Sequence, residues 1–575
     1  MILELSKIIA GCKYVTENNS SNIANALTAD IIVSLMEIPT DSKLGDYTLP
    51  CFQLAKLYHR NPMQIADELK ISIEALHVSY LQKVNVIGGY LNFYLDKGYY
   101  SKTVLLKALS EGHGLINIGA GKTICMDYSS PNIAKNFHVG HLRTTIIGNS
   151  LYHIFTKLGY QVIRINHLGD WGTQFGKLIV AYKKWSSKVL VEKDGINELL
   201  RIYVLFHKAS KEDITLEEEA RSWFVRLEQR DEEAISIWEW FKEISLVKFN
   251  QIYDLLGVSF DYYTGESFYM DRVSGVVKEL EDRSLIEESQ GAKIVNLDQY
   301  NMPPCLIVKS DGSSIYPSRD IAALLYRKNT YHFDQCLYIT GLEQKLHFEQ
   351  VFKVIELMGY KWSNNLVHIP YGLVSLAGEK LSTRTGNIIY AQELLNESIS
   401  RAFDAIDKKN PSLAYKEKIA SDVGVGAIIF HELYHQRIKN IDFSWEEVLS
   451  FEGATGPYVQ YTYARANRIL KKNGYMTADL TVDYGHLDDQ WSYSLIKKLE
   501  EYLQTIINAA KNYEPSIITR YVLSLAQEFN KFYHMCSVQD ASEQIKKTRL
   551  LLVYAVQNII QDGMALLGIN CPEEM

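Results

Sequence analysis

Apolar residues Leu142, Ile146, Ile147, Leu151, Ile154, Phe155 and Leu158 recur at helical spacing, and Gly159 closes the run. A short apolar stretch, Ile124 to Met126, precedes them, and a second, Tyr160 to Asn166, follows. Strand, loop, helix and strand in that order make the opening unit of a doubly wound parallel sheet. Upstream, Val84 to Leu95 alternates about Gly88 and Gly89, the pattern of a hairpin. Cys51 to Arg60 is helical, and Gly45 to Pro50 reads as a turn-rich link into it.

Downstream, residues 181–250 are charged and helical, a helical insertion between two halves of the sheet. Its acidic stretches, Glu217 to Ala220 and Glu228 to Glu233, read as solvated faces. The sheet resumes near Phe260. Cys305 to Lys309, Cys336 to Thr340 and Leu366 to Leu376 are strand candidates, and Asp311 to Ser314 reads as a hairpin turn. Helices are expected over Ile321 to Arg327 and from the Gly341 to His347 loop on to Met358. From about residue 396 the pattern is helical throughout.

The expected fold is therefore multidomain α/β plus α. An N-terminal α+β domain (1–112) precedes a Rossmann-type doubly wound parallel-sheet domain (113–395). A helical junction (396–450) and an all-α bundle (451–575) follow.

A chain of 575 residues has room for several cores. Its net charge of −8 advertises no polyanionic partner globally, so any nucleic-acid site must be a local patch. The seven cysteines are scattered without a Cys-x-x-Cys pair, which argues against a zinc knuckle or a disulfide framework and fits a reducing cytoplasm. Met1 to Lys7 does not look like a signal peptide, and no apolar stretch is long enough to span a membrane.

The candidate chemistry begins in the loop from Asp127 to the helix. His138-Val-Gly-His141 sits at the helix N-terminus, where free N–H groups and the helix dipole favour phosphate. Gly140 removes a side chain where a ligand would press closest, and the two histidines are placed to share a helix face. The loop His167 to Gly176 carries three glycines beyond a strand end, where open α/β sheets bind ligands.

Ala377 to Asn387 is small, hydroxylated and cationic. Lys380, Ser382, Thr383, Arg384 and Thr385 suit a polyphosphate, or equally a solvated loop. Tyr90 and Asn92 would point the same way from their strand, as a stacking ring beside an amide or simply as hairpin residues. Tyr458, Tyr461, Arg465, Arg468 and Lys472 share one helix face. They suit stacked bases and phosphates, or a core stripe with a solvated edge.

His138-Val-Gly-His141 resembles the His-Ile-Gly-His signature of class I aminoacyl-tRNA synthetases. Lys380-Leu-Ser-Thr-Arg384 resembles their Lys-Met-Ser-Lys-Ser loop. Three longer stretches resemble arginyl-tRNA synthetases in particular: Ser129 to Lys135, Leu168 to Gly176 and Gly453 to Tyr461. The likeness covers essentially the whole chain.

The resemblance implies an arginine–tRNA ligase using ATP with Mg²⁺, L-arginine and tRNA(Arg). The enzyme would be cytoplasmic and monomeric, with no membrane association and no metal held by protein side chains. His138, Gly140, His141, Lys380 and Ser382 would serve ATP. Asp127, Asn132, Tyr316, Asp320 and Gln344 would form the arginine pocket, all at strand ends or in the loops just beyond, with Glu343 as the alternative to Gln344.

A guanidinium is a planar donor fork, which suits such acceptors. Thr383 stands where the generic loop has its second lysine. Lys135 or Arg384 would then compensate. Tyr90, Asn92, Tyr458, Tyr461, Tyr533 and Met575 match tRNA-contacting positions, with the N-terminal domain at the tRNA elbow and the terminal bundle at the anticodon. The resemblance also implies that activation waits for bound tRNA. Two other readings stand beside this one: another His-x-Gly-His nucleotidylyltransferase that acts without RNA, and a non-catalytic RNA-binding relative.

Overall fold

A computed structural model describes residues 2–12, 14–16, 27–39, 41–110, 112, 116–313, 315–376, 379–380, 390–475 and 477–575. The chain folds as two compact units that do not follow chain order. One comprises Met1–His113, Ile469–Glu500 and Glu528–Val556. The other comprises Gly114–Arg468, Glu501–Gln527 and Gln557–Met575.

In the first unit, β1 (Tyr47–Pro50), β2 (Leu81–Ile87) and β3 (Tyr90–Leu95) form a sheet ordered β1-β3-β2, antiparallel throughout. Gly88 and Gly89 adopt φ of 58° and 86°, which is what a two-residue hairpin connection between β2 and β3 requires. The expected link over Gly45 to Pro50 is instead mostly strand. Tyr47, Thr48 and Leu49 are buried against β3, and Pro50, which has no N–H to give, ends the strand at the sheet edge. Helix α1 (Pro62–Glu74) starts with Asn61 capping Met63 and proline in its first turn. Two tyrosine hydroxyls, from Tyr47 and Tyr100, donate to the carboxylate of Glu500 at 2.5 and 2.6 Å. That long-range buried cluster is invisible to periodicity.

The second unit is built on a four-stranded parallel sheet of order β10-β9-β4-β5. Here β4 is Thr123–Asp127, β5 Gln161–Ile165, β9 Gln335–Gly341 and β10 Leu366–Tyr371. Helix α2 (Val139–Lys157) connects β4 to β5 as expected, and Gly159 follows it at φ 85°. Most of α2 is buried, including Thr144, Thr145 and Ser150. Their hydroxyls bond to Ile339 O, to Ser129 Oγ and to Leu566 O, so burial leaves them satisfied. Strands β4 and β9 are neighbours although some 200 residues separate them. That junction is the topological switch point of the sheet, where open α/β folds bind ligands.

Helix α3 (Glu232–Leu256) ends the helical insertion. Beyond it, β6 (Glu287–Ser289), β7 (Ala292–Val295) and β8 (Cys305–Val308) make a small antiparallel sheet. Three further expectations need correction. The helix expected over Ile321 to Arg327 runs from Tyr316 to Tyr331 (α4), because Pro317 and the Ser318 hydroxyl bonded to Ile315 set its start earlier.

The single strand expected over Leu366 to Leu376 breaks at Gly372. A Cβ there would meet Lys439 O at 2.6 Å, so the chain bends past another segment and restarts as β11 (Val374–Leu376). The C-terminal region is not helical throughout. β13 (Ile441–Phe443) pairs in parallel with β11, and β11 pairs antiparallel with the two-residue β12 (Glu379–Lys380). Among the described residues no helix is long and apolar enough to cross a membrane.

Candidate active site

His138 is the N-cap of α2 and not part of it, so the two histidines do not share a helix face as the spacing suggested. His138 Nδ1 accepts the N–H of Gly140 at 3.1 Å, and His141 Nδ1 accepts the N–H of His138 at 3.3 Å. The two rings stack with centroids 3.7 Å apart. With each Nδ1 accepting a main-chain proton, each ring proton belongs on Nε2. Burial pushes the His138 imidazole down to about 4 and His141 well below its ordinary value, and the charge of Lys135 acts in the same direction. The pair is therefore neutral at pH 7 and carries two Nε2–H donors. Gly140 serves the turn itself: a Cβ there would meet the His138 ring at 2.9 Å.

The histidines line a cavity of about 300 Å³ at the switch point, together with Asn132, Gly140, Glu343 and Gln344. Glu343 and Gln344 both reach this wall, in a short 3-10 turn after β9. Asn132 is held by a bridge to Gly169, where a Cβ would meet Asn132 Oδ1 at 2.0 Å. The loop between Asp127 and His138 is strained: Ser129, Ser130 and Ala134 all have positive φ, at 72°, 46° and 58°.

Helix α3 braces that loop. Ser245 Oγ accepts the Ala134 N–H at 2.9 Å, and Tyr253 bonds Ser129 Oγ at 2.8 Å. Trp238 and Lys242 of the same helix bind Asp170 of the glycine-rich loop. The insertion thus does more than present solvated faces. Lys135 itself is exposed on the braced loop.

The expected arginine pocket is partly reassigned. Asp127, at the end of β4, is buried. Its Oδ2 takes a 2.7 Å ion pair from Arg327 of α4, and its Oδ1 accepts the Ser130 hydroxyl at 2.8 Å. It is not a free acceptor for a second guanidinium, because an internal one already occupies it. Arg327 also donates to His167 Nδ1 at 3.2 Å.

Tyr316 and Asp320 lie in the first turns of α4 and not at a strand end or in a loop. Burial would raise the Asp320 carboxyl, yet the 2.6 Å hydrogen bond from His347 Nε2 and the nearby charges of His347, His167 and Arg327 hold it below its ordinary range. Tyr316 is 63 % exposed. Asp127, Tyr316 and Asp320 do not line the histidine cavity, whereas Asn132 and Gln344 do.

Glu266 is the acidic group that sequence reasoning missed. It is buried, pairs with Arg319 at 2.6 Å and feels Asp320, and burial pushes its carboxyl up to about 7. A lone glutamate after a glycine carries no periodic signal. Arg327, His347 and Arg143 were missed for the same reason.

Lys380 lies in β12, and Ser382 lies outside the described residues. Tyr90 is 39 % exposed on β3, but Asn92 on the same strand is only 3 % exposed, so it does not stand beside Tyr90 as a free amide. Tyr458 and Tyr461 lie on the helix Gly456–Lys472 with Arg465, Arg468 and Lys472 along the same solvent-facing side, not in the core. Arg465 sits 5.0 Å from the Tyr461 ring centroid. Tyr533 is exposed, and Met575 packs against the cluster of Ala402, Ile406, Ala420 and Val423.

A parallel α/β sheet with stacked histidines at its switch point is the arrangement expected of the class I synthetases, and comparison with known proteins places the chain in that class. Residues 104–445 match the model of the class I (R) tRNA synthetase catalytic domain. Residues 459–575 match the DALR anticodon binding domain, and 14–95 the arginyl tRNA synthetase N terminal domain. The chain belongs to the arginyl-tRNA synthetase family. It is 49% identical over 95% of its length to the arginine–tRNA ligase of Alkaliphilus metalliredigens, covering 96% of that protein. It is 48% identical to that of Halothermothrix orenii, covering 96% of this chain and 97% of the relative. Its fold is similar to the arginyl-tRNA synthetase of Thermus thermophilus at a TM-score of 0.78 and 25% identity, covering 94% and 96% of the two chains.

Proposed function

We propose that this chain is an arginine–tRNA ligase that activates L-arginine with ATP and transfers it to the 3′ end of tRNA(Arg). The observation that carries the reading is the neutral pair of stacked histidines, each with Nδ1 engaged and Nε2–H free to donate, at the mouth of α2. In the first step an arginine carboxylate oxygen attacks the α-phosphate, the bond to the bridging oxygen breaks, and pyrophosphate leaves. In the second, a ribose hydroxyl of the tRNA attacks the activated carbonyl and AMP leaves. Neither step needs a side-chain nucleophile. The protein positions the groups and stabilises charge on the phosphate.

In this reading His138 and His141 donate to ATP phosphates. Lys380, Ser382 and Lys135 meet the leaving pyrophosphate, and Mg²⁺ enters on the nucleotide as its counter-ion. Asn132 and Gln344 take the amino acid's own amino and carboxylate groups. Asp320 and Glu266, with Tyr316, receive the guanidinium, and Asp127 acts through its pair with Arg327.

Tyr458 and Tyr461 are proposed to stack on anticodon-loop bases and Tyr90 on the tRNA elbow, with Tyr533 and Met575 as further contacts. Asn92 would have to emerge from its buried position to contribute. The corresponding division of labour is 1–112 for the elbow, 113–395 for catalysis and 451–575 for the anticodon, in a cytoplasmic monomer. The test is arginine-dependent ATP–pyrophosphate exchange with and without tRNA(Arg). Exchange that requires both arginine and tRNA supports the assignment. Exchange driven by another acid without RNA would replace it with a different nucleotidylyltransferase.

A further inference from the structure

Arg143 lies two residues past His141 on α2, and its guanidinium is completely buried. Among the described residues the carboxylate that pairs with it, Glu432 Oε2, stands 3.8 Å from Nη1, too far for a hydrogen bond. Among the described residues Nε and Nη1 have no hydrogen-bond partner. Burying a cation so poorly paired costs stability, so the arrangement is not explained as a stabilising ion pair. What the guanidinium does hold is main chain: Nη2 donates to Arg437 O at 3.0 Å and to Lys439 O at 2.9 Å.

Those carbonyls lie on the segment that leads from the helix Lys416–Tyr434 into β13. The same segment fixes the break between β10 and β11. Gly372 N–H donates to Arg437 O at 2.9 Å, Leu373 N–H donates to Asn440 Oδ1 at 2.8 Å, and Ile441 N–H donates to Leu373 O at 2.9 Å. Arg143 and Gly372 therefore share one acceptor, Arg437 O. Arg437 in turn donates Nη1 to Pro370 O at 2.7 Å, at the end of β10. From this knot β11 runs only three residues, and Ser375 is the register partner of Lys380 on β12.

We infer that Arg143 is a positioning residue that ties the start of α2, where His138 and His141 form their turn, to the strand pair that includes Lys380, fixing the distance between the histidine turn and the main chain at Lys380. This rests on the reading of the site as adenylate-forming. A fork that holds two carbonyls at once can fix such a distance, and an ammonium, with one compact charge, cannot reproduce the bidentate hold. A misplacement of about 1 Å costs on the order of a hundredfold in rate with little effect on ground-state binding.

The experiment compares Arg143→Lys with Gly372→Ala. The second pushes the same carbonyls from the other side, since its Cβ would meet Lys439 O at 2.6 Å. Exchange kinetics for ATP and arginine, tRNA(Arg) affinity and thermal melting are measured for each variant beside the unmodified enzyme. The expected result is a fall in kcat of tenfold or more in both variants. KM for ATP and arginine should stay within twofold, tRNA affinity should be unchanged, and Arg143→Lys should retain more activity than Arg143→Met. Unchanged kcat in Arg143→Lys overturns the inference, as does a loss of kcat that merely tracks melting or is matched by rising KM. Absence of exchange in the unmodified enzyme would instead remove the functional reading, and this inference with it.

Discussion

His138 and His141 stack ring on ring, 3.7 Å between centroids and 22° between planes, and each surrenders Nδ1 to a main-chain N–H. The donors left for a ligand are the two Nε2–H groups. An amide that mimics Nε2 should therefore substitute better than one that mimics Nδ1. His141→Gln is expected to lose less exchange activity than His141→Asn, and the latter to lose about a hundredfold or more, the usual result of removing one charge-stabilising donor. Single-turnover adenylate formation checks the order, and equal losses would show that the donor position is irrelevant.

Acid should destabilise the fold in a defined window. Burial lowers His138, His153, His368 and His431 to about 4. In the unfolded chain these groups take up protons near 6.5. Between pH 6.5 and 4 the unfolded state binds more protons, so the stability these neutral histidines contribute is complete above 6.5 and is lost as pH falls toward 4. The urea midpoint should decline steadily from pH 7 to pH 5. A flat midpoint across that range would contradict the burial of these rings.

Arg327→Met leaves the Asp127 carboxylate buried without its 2.7 Å partner. The expected cost is about 3–5 kcal/mol in unfolding free energy, the usual penalty for half of a buried pair. Adding Asp127→Asn should recover a large part of it. Denaturant unfolding of the three proteins measures the coupling, and simple additivity would mean the pair is not what holds the two groups.

Glu266, proposed to receive the guanidinium, offers a titration. Its carboxyl sits near 7 because burial disfavours the charge. An incoming guanidinium favours the ionised form, so KM for arginine should fall as pH rises from 6 to 8 while KM for ATP stays level. Glu266→Gln should abolish that slope, and Asp320→Asn should raise KM for arginine tenfold or more while leaving the slope in place. Steady-state exchange across pH reads both.

Lys135→Ala should reduce the rate of adenylate formation far more than arginine affinity, because its charge is felt at both histidines. Unchanged kinetics would remove Lys135 from the mechanism.

The strand–loop–helix–strand unit around His138 was legible because its signals are local. Residues three or four apart decide the buried face of α2, and the histidine turn is closed by contacts two and three residues away. The motif and its position at a helix start follow from the same short range. What the chain order could not convey is which distant groups would meet. Asp127 finds Arg327, Asp320 finds His347, Glu266 finds Arg319, and Arg143 finds the carbonyls of 437 and 439. An ion pair between residues 200 apart leaves no periodic trace, since its energy depends on burial and geometry that only packing creates. The break at Gly372 has the same origin. The apolar run continues through it, and only the carbonyls of the crossing segment, pressed where a Cβ would stand, turn the strand aside.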